Sequence, residues 1–83
     1  MDDRFTLEKK AFGIRLRQIR ESKGLSQLDL EVQSNINRTE ISRIENGQKN
    51  IELATIVKLA IALNVEIKSF FEEHLPERFM LNP

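Results

Sequence analysis

The chain has 83 residues, which suits one domain with a modest core but not a catalytic cleft plus its scaffold. It has no cysteine, so neither a disulfide frame nor a thiolate metal site exists. Formal charge is zero, with 13 basic and 13 acidic side chains, so any polyanion partner must be met by the distribution of charge rather than by its sum. Positives dominate up to Gly24, through Arg4, Lys9, Lys10, Arg15, Arg17, Arg20 and Lys23. Negatives dominate after Ile51, through Glu52, Glu66, Glu72, Glu73 and Glu77. This allows a basic face and an acidic end, or simply an ordinary mixed surface.

A first helix is expected from near Thr6 to Lys23-Gly24. Phe12, Leu16 and Ile19 share its core face, while Leu7, Ala11 and Ile14 form a second apolar stripe on nearly the opposite side. That second stripe calls for a cover, either the chain's own tail or another subunit.

From Leu25 to Gly47 the period describes two short helices separated by a break. Ser26 can cap the first, whose inward residues begin at Leu30. Ser34-Asn35-Ile36-Asn37 then supplies turn chemistry, Asn35 being able to take the left-handed conformation of a tight corner. Asn37 is a good N-cap, with Glu40 placed as in a capping box, and Ile41 and Ile44 share one face before Gly47 stops the helix. Two such helices joined by a short turn make the helix-turn-helix plan, whose second helix enters the DNA major groove.

Beyond a polar linker, Leu53, Ile56, Leu59, Ala60 and Leu63 predict an amphipathic fourth helix stopped at Asn64. Ile67, Phe70, Phe71 and Leu75 predict a fifth, ended by Pro76. The tail from 76 to 83 carries Phe79, Met80 and Leu81, apolar for a free end. No strand pattern, repeat or low-complexity tract occurs. The expected architecture is therefore all-α and a single unit, with a core over 6–75 and a tail available for dimerisation.

LSQ at 25–27, Ile36 and ISRIENG at 41–47 together resemble the Xre/Cro–cI family of small repressors. The likeness runs over roughly residues 12–71 and takes in FGIRLRQIRESKGLSQ and LATIVKLAIALNVEIKSFF. A subset, the dimeric controller proteins of restriction–modification systems, is similar through Ser34–Ser42 and Lys49-Asn50. The resemblance implies a five-helix lambda-repressor-like domain that binds double-stranded DNA.

It also implies roles. Arg38, Thr39, Ser42 and Arg43 would read bases, in keeping with the pairing of arginine with guanine, threonine with the thymine methyl, and serine with several base edges. Glu40 can accept from cytosine N4 or fold back as a cap. Gln27, Asn37, Asn46, Lys49 and Asn50 would hold phosphates and set register. Lys49 and Asn50 also read as a solvated loop. Arg20 and Glu45 would form an ion pair orienting the reading helix.

Some positions depart from the family pattern. Glu31 stands where alanine is usual, so its carboxylate must reach solvent, find a cation or splay the helices. Leu28 and Val32 are apolar where polar residues are usual, and a small rotation of their helix would bury them and expose Glu31. Ile51 replaces a common proline, and Glu52 and Glu66 replace serine or threonine caps, so those helix starts are expected to fray.

The expected function is a sequence-specific transcriptional regulator acting as a homodimer on a palindromic operator, with Phe70, Phe71, Leu75, Phe79 and Met80 at the dimer interface. The alternative is a protein-interaction module, such as the DNA-binding antitoxin of a toxin–antitoxin pair. No enzyme motif, cofactor or metal is expected, because His74 has no second histidine or cysteine to share a metal. No apolar run approaches the ~18 residues a membrane helix needs, and Met1-Asp2-Asp3-Arg4 is no secretory signal, so a cytoplasmic location is expected.

Overall fold

The computed structural model describes residues 3–72. Four α-helices follow one another, α1 Arg4–Ser22, α2 Gln27–Ser34, α3 Arg38–Glu45 and α4 Leu53–Leu63, and a short 3-10 helix Ile67–Phe71 closes the described chain. No strand occurs among the described residues. No helix among them is long and apolar enough to cross a membrane.

α1 begins two residues before the expected start. The Asp3 carboxylate accepts the Thr6 amide proton at 2.8 Å, so Asp3 is the cap. Phe12, Leu16 and Ile19 enter the core as periodicity requires, and Leu7 and Ile14 stay more than half exposed on the other side.

α2 opens with a reciprocal box in which Ser26 Oγ accepts from the Asp29 amide and Asp29 accepts from the Ser26 amide. This box and the full burial of Leu30 fix the rotational phase of the helix. Leu28 and Val32 therefore remain exposed, and the expected rotation that would bury them does not take place. At the far end Ser34 Oγ donates to the Leu30 carbonyl (2.6 Å) and accepts from the Ile36 amide (3.1 Å). Asn35 takes the left-handed conformation at φ 60°. These contacts turn the chain sharply enough for Ile36 to drop into the core beside Ile41 and Ile44.

The α1–α3 contact depends on Gly13. A Cβ at this position would lie 2.6 Å from the Glu45 carbonyl oxygen and closer still to that of Ile44, so the two helices touch backbone to backbone. α4 contributes Leu59, Ala60 and Leu63 to the core, with Ile56 partly buried against it. Leu53, expected to face inward, is exposed, because it is the first residue of the helix and lies beyond the reach of the core. Asn64 ends α4 in the left-handed region at φ 56°.

The expected fifth helix is only the 3-10 turn within the described residues, and Leu75 and Pro76 lie outside them. Phe70 is fully buried, with its ring 5.1 Å from that of Phe12, so it belongs to the core rather than to an interface. Phe71 also stacks near Phe12, at 5.6 Å, but is largely exposed. Arg15 ties the segment down by donating to the Ser69 carbonyl at 2.8 Å. Phe79, Met80, Leu81 and His74 lie outside the described residues.

Candidate nucleic-acid interface

α3 carries two faces set by its sequence. Ile41 and Ile44 are fully buried, which forces Arg38, Thr39 and Arg43 outward, with Ser42 half-buried between them. Gln27, Arg38, Thr39, Ser42 and Arg43 line one shallow hollow of about 290 Å³. Four of the five residues offered as base readers, all but Glu40, thus meet one expected to hold a phosphate at a single surface. Asn46, Lys49 and Asn50 follow at the other end of α3, the asparagines exposed and Lys49 half-buried.

Asn37 caps α3 by accepting the Glu40 amide proton at 3.1 Å. Of the two readings of Glu40, the reciprocal cap is not the one seen: the second capping bond at this end runs from the Arg38 amide to the Glu31 carboxylate, at 3.1 Å. Glu31 thereby pairs with a backbone amide rather than a cation, at a site that keeps partial access to solvent. It is half-buried against the start of the next helix.

Behind the hollow sits a charged cluster that sequence reasoning recognised only as a pair. Arg20 meets Glu45 through two parallel bonds of 2.7 and 3.0 Å, with side-chain exposures of only 8% and 3%. A third guanidinium N–H donates to the Leu25 carbonyl at 2.7 Å. The Gln27 amide donates to Glu45 at 3.1 Å, leaving that amide one further N–H. The bond to Glu45 raises the Arg20 pKa above the ordinary arginine range, so the guanidinium is held charged. No buried side-chain polar atom among the described residues lacks a partner. The fork geometry fixes α1, the α2 entry and α3 relative to one another.

Three relationships had no signal in the residue pattern. Gly13 reads as a weak spot in a helix, the Gln27–Glu45 bond joins residues 18 apart, and Glu31 reaches across seven positions. Only the departure of Glu31 from the family pattern marked it out. Among the described residues no three histidine, aspartate or glutamate side chains come together as metal ligands would.

A short capped helix bearing outward arginines, docked on a second helix through a tight turn, defines a DNA-binding regulator of the helix-turn-helix type. The helix-turn-helix family profile matches residues 16–70, and the chain belongs to that family. It is similar to the control protein C.BamHI of Bacillus amyloliquefaciens, 42% identical over 62 residues that make up 74% of this chain and 76% of that one. Among solved structures it is similar to the restriction–modification controller protein C.AhdI from Aeromonas hydrophila, at 42% identity and a TM-score of 0.77, covering 78% of this chain and 98% of that one. The controller C.Esp1396I, solved as a tetramer on its natural 35 base-pair operator, is 28% identical with a TM-score of 0.72, covering 84% of this chain and 88% of that one. The Xre/Cro-type resemblance carried by LSQ and ISRIENG, including its narrower likeness to controllers, is thus met by relatives of matching length.

Proposed function

We propose that this chain is a sequence-specific transcriptional regulator of the controller type, binding a palindromic operator as a homodimer with α3 in the major groove. The observation that carries this reading is the shared hollow of Gln27, Arg38, Thr39, Ser42 and Arg43, held on a helix whose opposite face is fully buried. Arg38 and Arg43 supply forks for guanine O6 and N7, and Thr39 and Ser42 supply a methyl and hydroxyls. Gln27, Asn37, Asn46, Lys49 and Asn50 grip the backbone and set register.

One such module makes few base contacts, and two-fold pairing doubles them, with half-sites about 34 Å apart. With Phe70 in the core, the exposed apolar groups Val57, Ile61, Ile67 and Phe71, next to it on α4 and the short final helix, take its place in the proposed dimer surface. Leu75, Phe79 and Met80 remain candidates outside those residues. A second reading, an antitoxin-like module with a protein partner, draws on the exposed stripe of Leu7 and Ile14 on α1. Light scattering separates the two, a stable dimer favouring the stand-alone regulator.

Selection of bound fragments from random duplex DNA, followed by footprinting, tests the main reading. Arg38→Ala and Arg43→Ala relax base preference, whereas Gln27→Ala and Lys49→Ala weaken all sequences alike and flatten the salt dependence. Identical behaviour of the two classes overturns the assignment.

A further inference from the structure

Resting on that DNA-binding reading, we propose that Glu31 is a positioning residue for the reading helix, gripping it by the Arg38 amide and keeping a negative charge at its groove-facing end. The Glu31 carboxylate lies 3.1 Å from the Arg38 amide nitrogen, across the turn from α2 to α3. The first intrahelical acceptor of α3 is the Asn37 carbonyl, which takes the Ile41 amide. Three amides before it lack a helical acceptor. Asn37 takes that of Glu40 and Glu31 takes that of Arg38.

These two bonds differ in kind. The Asn37 bond is local and would persist if α3 swung as a unit. The Glu31 bond joins two helices, so it adds a constraint on the angle at which α3 leaves α2. Ser34 and the left-handed Asn35 shape the turn itself, and the Gln27–Glu45 bond ties the start of α2 to the end of α3, so Glu31 is the bond that holds the start of α3.

The bond also places a charge. Free N–H groups at a helix start are where a phosphate settles, and here a carboxylate already holds the first of them. A duplex that brings Arg38 to a base edge brings its phosphates within a Debye length of Glu31, about 8–10 Å, too near for salt to screen fully. Glu31 therefore lowers affinity for DNA of every sequence while fixing the pose in which Arg38 reads.

Glutamine and alanine separate the two effects. Glu31→Gln keeps an oxygen for the Arg38 amide and removes the charge, while Glu31→Ala removes both. Binding of wild type, E31Q and E31A is measured by fluorescence anisotropy at several salt concentrations, on a random-sequence duplex and on a duplex recovered by selection. Both variants bind the random duplex about threefold tighter at low salt, as one charge within ~7 Å of a phosphate in water requires, and the gain shrinks as salt rises. E31Q keeps the wild-type preference for the selected duplex, whereas E31A loses several-fold of it. Should E31A fail to fold, Glu31→Asp, one methylene too short for the amide, takes its place in the preference measurement. The proposal is overturned if E31Q binds the random duplex no tighter than wild type, or if the variant lacking the bond keeps full preference. Wild type that binds no duplex of either kind instead defeats the DNA-binding reading on which it rests.

Discussion

The half of the molecule from α1 to α3 and the half from α4 to the short final helix are built by different means. In the first, side chains cap all three helix starts, through Asp3, Ser26 with Asp29, and Asn37 with Glu31. A buried arginine–glutamate fork joins the elements there. In the second, Glu52 and Glu66 begin helices without any side-chain cap, and packing of Leu59, Leu63 and Phe70 does most of the holding. Directional bonds hold helices at set angles, and apolar burial holds them together with more latitude. The half that proposes to read bases is the one that uses direction. Exposed apolar side chains occur in both halves, Leu7, Ile14 and Val32 in the first and Ile61, Ile67 and Phe71 in the second, and the second set is the one proposed to meet a second copy.

Substitutions at the two halves test this contrast. Arg20→Met strands the buried Glu45 charge and should cost about 4 kcal/mol in chemical denaturation, a large share of the stability of a domain this size. A loss under about 1 kcal/mol would mean the fork is no more than a surface pair. Gly13→Ala drives a methyl into the carbonyls of Ile44 and Glu45 and should cost about 3 kcal/mol, read from the same curves. Asn37→Ala removes a working cap and should cost about 1 kcal/mol, while Glu52→Ala, at an uncapped start, should leave the midpoint almost unchanged. Glu52→Ser supplies the missing acceptor and should stabilise by about 0.5 kcal/mol. If it does not, the rear half is not limited by its helix starts.

The smallest effect is a pH dependence. The Asp3 and Asp29 carboxyls sit below their ordinary value of 3.8, chiefly because each accepts a backbone amide bond, from Thr6 and Ser26 respectively. A lowered folded value means the stabilisation is complete above 3.8 and is lost as pH falls through the folded values. Thermal midpoints should therefore be flat between about pH 6 and 5 and fall below about pH 4, with a shallower fall in Asp29→Asn.

Local features were legible in the sequence. Caps at Ser26 and Asn37, the left-handed Asn35 and Asn64, and the buried stripe of Leu30, Ile41 and Ile44 follow from neighbours within four positions, where propensity and period act. The start of α1 lies two residues ahead of the expected Thr6, because Asp3 caps the helix by accepting the Thr6 amide. Choosing between Phe70 and Phe71 was harder. Adjacent residues trade places when a helix tightens from α to 3-10, and although both rings reach Phe12, only Phe70 is enclosed. The partners of Glu31, Gln27 and Gly13 belong to other elements, so no local pattern carries them. The outward face of α3 was legible because burying Ile41 and Ile44 leaves the other side of a short helix one direction in which to point.

Gly13 lets the reading helix lie directly upon the first helix with no side chain between them, like a key blade brazed to its shank. The protein then has little play with which to follow a misshapen groove. If α3 enters the groove as proposed, compliance on an imperfect site falls to the double helix, and stiff or ill-curved sequences would be refused at base pairs that no side chain touches.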